Sequence, residues 1–299
     1  MERVKKIYKG ELTVDSNIDG LVSFKIGGRC RWIAFPESEK EIISLVRFCR
    51  ENEIPYYVIG KGTNLLMGSD PFEGMILYLG RNLDHVEQRE TPEGVLITAA
   101  AGIPLSKLGH ICREQGLGGF EYLSFIPGTL GGGLITNAEA HQASIGEQVI
   151  RVKVLDGEDV RWIDGKDCGF TYRSSVFEKH PEWIVLSVEL LLKPMDRALL
   201  DERWLESKSF RNQKQPKKPS AGSVFKNPKG KPAGWLLDQA GLKGLRSGDA
   251  VVSEIHANFI LNEGHATSGD VLTLMETMRR KVEEMTGIEL EPELKIFNC

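Results

Sequence analysis

The chain has 299 residues, a length that fits about two domains of roughly 150 residues each. Its composition, 41% hydrophobic and 27% charged, excludes a disordered, collagen-like or coiled-coil protein. The formal net charge of −4 excludes a protein that binds nucleic acid through a generally basic surface. Glycine is in excess, with 32 residues, so we expect many backbone positions with special conformations.

The cysteines, histidines and apolar runs limit the cellular setting. The six histidines show no metal-ligand spacing, and no apolar run is long enough to predict a membrane-spanning helix or a secretory signal. We therefore expect a cytoplasmic protein with no metal, no membrane partner and no nucleic-acid partner. Five widely spaced cysteines without a CxxC pair predict neither a disulfide framework nor a zinc site: Cys30, Cys49, Cys112, Cys168 and Cys299.

The first 80 residues predict an α/β arrangement. Residues 38–41 have the pattern of a capping box, which predicts the start of a helix. The apolar residues that follow at helical spacing are Ile42, Leu45, Val46 and Cys49. Strands are predicted at 56–59, directly before a glycine turn, and at 75–79.

The middle and the end of the chain predict an α+β body. A strand is expected at 95–100 and a helix from Pro104 to Gly116. Further strands are expected at 149–155 and 183–192. A last helix is predicted between a cap at Thr267 and a stop at Gly287. Its apolar face comprises Val271, Leu274, Met275, Met278, Val282 and Met285.

A basic segment, residues 207–237, contains eight basic residues and no acid, which leaves −4 − 8 = −12 for the rest of the chain. Its prolines and glycines predict a loop-rich surface rather than a helix. The segment is either a solvated surface or a site for a doubly or triply charged anion such as a nucleotide diphosphate. Because aromatic residues are sparse here, we favour the small anion over single-stranded nucleic acid.

Two glycine-rich loops, 60–66 and 127–133, are candidates for binding phosphate through backbone N–H groups. Neither loop matches the dinucleotide fingerprint GxGxxG or the P-loop. Each loop taken alone is more simply a tight turn between strands, so the loops by themselves leave a pyrophosphate site open.

A series of short motifs in a fixed order resembles the UDP-N-acetylenolpyruvoylglucosamine reductase family, flavoenzymes of peptidoglycan precursor synthesis. The match of Ala221 to Pro228 with the serine motif of that family is the most specific. The motifs lie at 23–28, 60–66, 126–137, 172–177, 221–228, 240–244, 256–259 and 290–295. They cover nearly the whole chain, which makes a chance resemblance implausible.

The resemblance implies an α+β fold whose FAD-binding domain is of the vanillyl-alcohol-oxidase/p-cresol-methylhydroxylase type. The expected organisation is an FAD-binding subdomain at 1–80, a second at 81–198, and an α+β domain that binds the UDP-sugar at 199–299. The length of the chain is similar to the compact form of the family, which lacks an inserted tyrosine-bearing loop. A monomer is expected.

The resemblance also implies non-covalent FAD, NADPH as co-substrate, and UDP-N-acetylglucosamine enolpyruvate as the substrate that is reduced to UDP-N-acetylmuramate. Neither loop carries a histidine or cysteine placed for flavin attachment. The expected FAD contacts are Gly60, Lys61, Gly62, Thr63, Asn64, Leu65, Pro127, Gly128, Thr129, Gly131, Gly132 and Asn137.

Three residues match catalytic positions of the family: Arg173, Ser223 and Glu293. Hydride addition to an enolpyruvyl ether leaves an enolate, which needs fixed donors and then a proton. Arg173 and Glu293 are expected to polarise it, Glu293 only if protonated or bridged by a cation, and Ser223 is expected to supply the proton. The expected substrate contacts are Tyr172, Lys214, Asn227 and His256.

One departure from the family pattern is Glu139, where the second flavin loop usually has glycine. Its side chain and charge affect a loop that is expected to bind phosphate. Two alternatives stay open. One is a flavin oxidase or dehydrogenase with another substrate, against which the serine motif and the acid-free basic segment argue. The other, which Glu139 alone suggests, is a catalytically silent protein that binds flavin or UDP-sugar. Without the motifs, the simpler interpretation of Arg173 is an ion pair at the end of a strand, that of Ser223 is a turn or helix-cap hydroxyl, and that of Glu293 is a surface acid.

Overall fold

A computed structural model describes residues 2–141 and 143–297, which form two compact units. The first unit comprises Met1–Val14, Trp32–Lys61 and Glu73–Ser209, and the second comprises Asp15–Arg31, Gly62–Phe72 and Phe210–Cys299. Each unit therefore combines segments that are distant in sequence. The division into domains at 1–80, 81–198 and 199–299 stays a prediction.

The regular elements of the described residues are numbered in chain order. Strands β1 to β17 are Glu11–Asn17, Arg29–Phe35, Tyr56–Ile59, Leu65–Met67, Phe72–Tyr78, Val86–Thr91, Gly94–Ala100, Leu117–Gly118, Glu139–Ala140, Ala143–Ser144, Val149–Asp156, Asp159–Asp164, Trp183–Pro194, Arg246–Ser247, Ala250–Val252, Ile260–Asn262 and Lys295–Phe297. Helices α1 to α8 are Glu2–Ile7, Glu39–Glu51, Leu105–Glu114, Leu130–Ile135, Val176–Lys179, Arg197–Lys214, Ala233–Gln239 and Ser268–Thr286.

The first unit contains an antiparallel sheet with the order β12-β11-β13-β7-β6, to which β8 adds by pairing with β13. Strand β13 is buried along most of its length, as expected for an apolar run that packs on both faces. Strands β3 and β5 pair in parallel, with Tyr56 opposite Met75. Helix α2 begins at Ser38, whose hydroxyl accepts a 3.3 Å hydrogen bond from the Glu41 N–H, and its predicted apolar face is buried.

The second unit contains the antiparallel sheet β14-β15-β16, and β17 pairs in parallel with β4. Helix α8 begins with a complete capping box between Thr267 and Asp270 and ends at Gly287, whose φ of 70° is left-handed. The predicted apolar face packs in the core of this unit, except that Met285 is 47% exposed. The prediction for Met285 is wrong because the last turn of α8 extends beyond that core.

The basic segment is not wholly a loop. Lys208, Arg211 and Lys214 lie on the last turns of α6, which corrects the prediction of a loop-rich surface. No proline or glycine occurs from 197 to 214, so nothing in that stretch interrupts a helix. The prolines that do end it begin at Pro216.

Four of the five cysteines lie in the described part of the chain. Cys30, Cys49, Cys112 and Cys168 are free and buried, and burial raises the pKa of the Cys112 thiol to about 12. Cys299 lies outside the described residues.

No helix in the described part of the chain has the length and apolar character needed to cross a membrane.

Candidate active site

The two glycine loops meet in the first unit. Gly60 ends β3, and a Cβ atom at this position would lie 2.2 Å from the Oγ1 atom of Thr129 in the second loop. Lys61 follows, and Gly80 leaves space for it, because a Cβ atom on Gly80 would lie 2.8 Å from the Lys61 Cγ atom. Only glycine therefore allows the backbone of the first loop to lie against the start of the second.

The second loop leads into α4 through Thr129, whose Oγ1 accepts a 3.3 Å hydrogen bond from the Gly132 N–H. Gly128, after Pro127, has a φ of 133°, a conformation that favours glycine. The Gly131 N–H donates a 2.8 Å hydrogen bond to the Ala101 carbonyl oxygen. Gly131 and Gly132 therefore use their N–H groups to shape the loop, and their contact with FAD stays a prediction.

The turn that carries Tyr172 and Arg173 is closed by backbone hydrogen bonds between Thr171 and Ser174 of 3.0 and 3.2 Å. Arg173 has a φ of 52°, a left-handed conformation that costs a non-glycine residue about 1 kcal/mol. Tyr172 is 48% exposed. Five other non-glycine residues in the described part of the chain also have a positive φ, and the catalytic role of Arg173 stays a prediction.

Asn137 joins the second loop to this turn. Its side chain donates a 3.0 Å hydrogen bond to the Thr171 carbonyl oxygen and accepts one of 2.9 Å from the Gly146 N–H. Ser175 makes a second link, since its hydroxyl donates a 2.8 Å hydrogen bond to the Ile135 carbonyl oxygen. The structure therefore gives Asn137 a role in holding the turn, and its predicted contact with FAD stays untested.

The remainder of the first glycine loop belongs to the second unit. Gly62 has a φ of 54°, and a Cβ atom there would lie 2.6 Å from Val22. The Asn64 side chain donates a 3.1 Å hydrogen bond to the Glu293 carbonyl oxygen. Leu65 is buried and pairs with Lys295 in the parallel contact of β4 and β17.

The serine motif and the Glu293 segment are paired in the second unit. The Glu293 N–H donates a 2.8 Å hydrogen bond to the Val224 carbonyl oxygen, and Phe225 forms a bridge with Pro292. A Cβ atom on Gly222, next to Ser223, would lie 3.8 Å from the Thr63 carbonyl oxygen. The second unit thus brings together three predicted parts of the site: residues 63–64, Ser223 and Glu293.

The predicted substrate contacts of the second unit differ in setting. Lys214 is exposed at the end of α6. Asn227 accepts a 2.9 Å hydrogen bond from the Ala233 N–H at the start of α7. His256 Nδ1 accepts a 3.2 Å hydrogen bond from the Asn258 N–H, and burial lowers the pKa of the imidazole. A neutral ring with its proton on Nε2 follows.

Acids from outside the basic segment neutralise part of its charge. Lys218 pairs with Glu263 at 2.5 Å, and Lys226 pairs with Glu291 at 2.6 Å. The absence of acids along residues 207–237 therefore overstates the excess positive charge in the folded protein. Glu139 lies on β9, which pairs with β10, and it is opposite Ser144. Gln142 lies outside the described residues.

The glycine loops fit FAD on chemical grounds. A dinucleotide needs backbone to approach its pyrophosphate without side chains in between, and glycine at positions 60 and 62 leaves the first loop without side chains there. Lys61 adds a positive charge beside them, and the Thr129 hydroxyl adds a polar group.

Asn258, which the sequence analysis did not single out, is a buried residue that contacts the serine motif. Its only signal in the sequence was its place in the motif 256–259.

Comparison with known proteins identifies the family. Residues 31–163 match the FAD binding domain model, and residues 214–297 match the model for UDP-N-acetylenolpyruvoylglucosamine reductase, C-terminal domain. These matches confirm the predicted fold class, an α+β chain with an FAD-binding domain and a C-terminal domain.

The relatives extend over the whole chain. The UDP-N-acetylenolpyruvoylglucosamine reductase of Caldanaerobacter subterraneus is 39% identical over 99% of this chain and 97% of that protein. Reductase 2 of Symbiobacterium thermophilum is 38% identical over 99% of this chain and 96% of its own length. The crystal structure of the enzyme from Thermus caldophilus aligns with a TM-score of 0.79 and 32% identity over 96% of this chain and 98% of that chain. The chain therefore belongs to the UDP-N-acetylenolpyruvoylglucosamine reductase family.

Proposed function

We propose that this chain is an FAD-containing oxidoreductase that reduces UDP-N-acetylglucosamine enolpyruvate to UDP-N-acetylmuramate with NADPH, in the synthesis of cell-wall peptidoglycan. The observation that carries the proposal is the pairing of Ser223's segment with that of Glu293. This pairing places the proposed proton donor and a proposed polarising acid on adjacent segments, within a chain that matches reductases over nearly its full length.

The glycine loops with Gly60 and Thr129 would hold the pyrophosphate of FAD without a covalent bond. FAD bound there would supply the transfer of a hydride from NADPH to the terminal carbon of the enolpyruvyl group. Arg173 stabilises the negative charge that develops on the substrate. Glu293 shares this role either in its protonated form or with a bound cation, because a bare carboxylate would repel an enolate.

Ser223 completes the reaction by donating its hydroxyl proton to the second carbon of the enolate. An alcohol is a weak acid, but an enolate carbon is basic enough to take the proton when the geometry is fixed. Tyr172, Lys214, Asn227 and His256 bind the substrate, His256 as a neutral donor from Nε2. A cytoplasmic monomer with an FAD-binding part at 1–198 and a UDP-sugar-binding part at 199–299 belongs to the same proposal.

Anaerobic absorbance spectroscopy tests the proposal. The purified protein should be yellow, bleach with NADPH, and recover its colour with the enolpyruvyl UDP-sugar but not with UDP-N-acetylglucosamine. Acid precipitation should leave the yellow colour in the supernatant if the flavin is not covalent. A flavin that NADPH bleaches but the enolpyruvyl substrate does not reoxidise indicates another substrate, and a protein that FAD cannot reconstitute contradicts the proposal altogether.

A further inference from the structure

We propose that Asn258 is a positioning residue that holds Ser223 in place for proton delivery. The inference rests on the proposed function, because Asn258 acts only through the hydroxyl proposed as the proton donor. The residue is 3% exposed, although asparagine is usually found at the surface. A buried amide is costly unless its donors and acceptor are used, so its hydrogen bonds indicate why it is there.

The Asn258 side chain binds both backbone groups of Phe225. Its Oδ1 accepts a 3.0 Å hydrogen bond from the Phe225 N–H, and its Nδ2 donates one of 2.8 Å to the Phe225 carbonyl oxygen. Its own carbonyl oxygen accepts a 2.9 Å hydrogen bond from the Val224 N–H. That N–H belongs to the peptide bond between Ser223 and Val224, so the backbone is held directly after Ser223.

The same segment is held from its other edge. The Glu293 N–H donates a 2.8 Å hydrogen bond to the Val224 carbonyl oxygen, and the Lys226 N–H donates one of 2.9 Å to the Glu291 carbonyl oxygen. These bonds fix the peptide plane that follows Ser223, and they thereby place the Cα atom that carries the hydroxyl side chain. Proton transfer from a weak acid depends on such fixed geometry. Removing the Asn258 side-chain amide removes both hydrogen bonds to Phe225, while the backbone bond from the Val224 N–H to the Asn258 carbonyl oxygen remains.

Asn258 also contacts a second proposed site residue. Its N–H donates a 3.2 Å hydrogen bond to His256 Nδ1, which keeps the proton of the neutral ring on Nε2. This bond comes from the backbone and remains when the Asn258 side chain is replaced. A side-chain variant therefore tests the effect on Ser223 while the bond to His256 stays available.

Asn262 provides a matched control in the same unit. It is 4% exposed, its Nδ2 donates a 3.0 Å hydrogen bond to the Phe24 carbonyl oxygen, and its Oδ1 accepts one of 3.1 Å from the Ala266 N–H. Its replacement likewise leaves buried backbone groups without their side-chain partner, but these groups belong to Phe24 and Ala266 and not to the segment that follows Ser223. The comparison of the two asparagines separates lost stability from lost positioning.

The experiment is anaerobic stopped-flow absorbance on the FAD-loaded enzyme, which follows reduction by NADPH and reoxidation by the UDP-sugar as separate steps. Asn258→Ala should slow reoxidation by about 10²-fold, the loss typical of a small misplacement, and leave reduction unchanged. The solvent deuterium isotope effect on reoxidation should rise, because proton delivery becomes more rate-limiting. Asn262→Ala should keep both rates near those of the parent.

Two further variants complete the test. In a Ser223→Ala background, Asn258→Ala should cause no further slowing, because the group that it positions is gone. Asn258→Asp retains the acceptor for the Phe225 N–H and replaces the alanine variant if that one does not fold; it too should slow reoxidation alone. Equal slowing of both steps, or full additivity with Ser223→Ala, overturns the positioning role. A parent flavin that NADPH reduces but the UDP-sugar does not reoxidise refutes the proposed function, and this inference with it.

Discussion

The side chain of Asn137 donates a 3.0 Å hydrogen bond to the carbonyl oxygen of Thr171. Thr171 and Ser174 are the residues whose backbone hydrogen bonds close the turn that carries Arg173. Asn137 itself has a φ of 43°, so its backbone is left-handed. Asn137→Gly keeps this conformation accessible and removes only the side-chain hydrogen bonds. We expect it to lower the free energy of unfolding by about 1 kcal/mol, because the partly buried Gly146 N–H loses its side-chain acceptor while the Thr171 carbonyl oxygen keeps the Ser174 N–H.

Asn137→Ala separates the two contributions. It loses the same hydrogen bonds and adds left-handed strain, so we expect it to be less stable than the glycine variant by about 1 kcal/mol. Urea unfolding gives both values, and amide hydrogen exchange at Ser174 should become faster in both variants. Parent-like exchange at Ser174 in both would show that Asn137 does not hold the turn.

Ser223→Ala should impair only one of the two half-reactions, the reoxidation of the flavin by the enolpyruvyl substrate. Flavin binding and reduction by NADPH do not need the serine proton, so both should stay near normal. Reoxidation by the enolpyruvyl substrate should slow by about 10² to 10⁴, the usual contribution of a positioned general acid. Stopped-flow absorbance measures each half, and Ser223→Cys is a control that retains a proton donor. Reoxidation of the alanine variant at the parent rate would leave Ser223 a structural hydroxyl.

Lys214→Ala should raise the KM for the UDP-sugar much more than the KM for NADPH. A charge-assisted hydrogen bond to a phosphate in a closed site is worth about 1.5 to 3 kcal/mol, which corresponds to roughly 10- to 100-fold in affinity. Lys218→Ala is the matched control, because Glu263 already pairs with Lys218 at 2.5 Å. Steady-state kinetics with each substrate varied in turn measures the effect, and equal increases for both substrates would indicate general damage.

Arg151→Ala should destabilise the sheet of the first unit. Arg151 makes hydrogen bonds of 2.7 and 2.8 Å to Glu189, whose side chain is only 11% exposed. Removing the arginine leaves this carboxylate without its partner, at a cost of about 3 kcal/mol.

A second arginine of the same strand pair serves as the control. Arg161 binds the carboxylate of Asp156, and its guanidinium lies over Trp183 just as that of Arg151 lies over Trp162. Unlike the Arg151–Glu189 pair, the Arg161–Asp156 pair is exposed on both sides. We expect Arg161→Ala to cost no more than about 1 kcal/mol. Thermal unfolding of the two variants compares them, and equal losses would mean that burial of Glu189 does not decide the energy.

His256 should make the protein less stable in mild acid. Burial holds its pKa in the folded state below the ordinary value of 6.5. Below that value the unfolded chain binds a proton that the folded chain does not, so stability is complete above about pH 6.5 and falls as the pH decreases further. Urea unfolding at about pH 7.5 and 5.5 should show a smaller loss for His256→Gln than for the parent. Equal losses would exclude His256 as a source of this pH dependence.

Several elements could be predicted because their signals are local. Helix α2 has its cap at Ser38 and helix α8 its stop at Gly287, and each signal lies within one turn of the element that it bounds. The ordered motifs were sufficient for the family, since each is a short stretch of residues. The glycine loops alone were not sufficient to identify a phosphate site, because a tight turn and a phosphate site both need the backbone conformations that glycine allows.

The errors arose where burial and pairing depend on distant residues. Met285 continues the apolar spacing of α8, but only packing shows that the last turn leaves the core. Likewise, local counting of charge missed Glu263 and Glu291, which neutralise Lys218 and Lys226 from other parts of the chain.

The sequence by itself determined the family, the residues proposed for chemistry, helices α2, α3 and α8, and strands β3, β5, β7, β11 and β13. Only the tertiary structure decided what holds those residues in place. Asn137 reaches Thr171 across 34 positions, and Asn258 reaches Phe225 across 33. Contacts at such separations leave no periodicity to detect. Each is stable only because the fold buries a polar side chain beside the backbone groups that satisfy it.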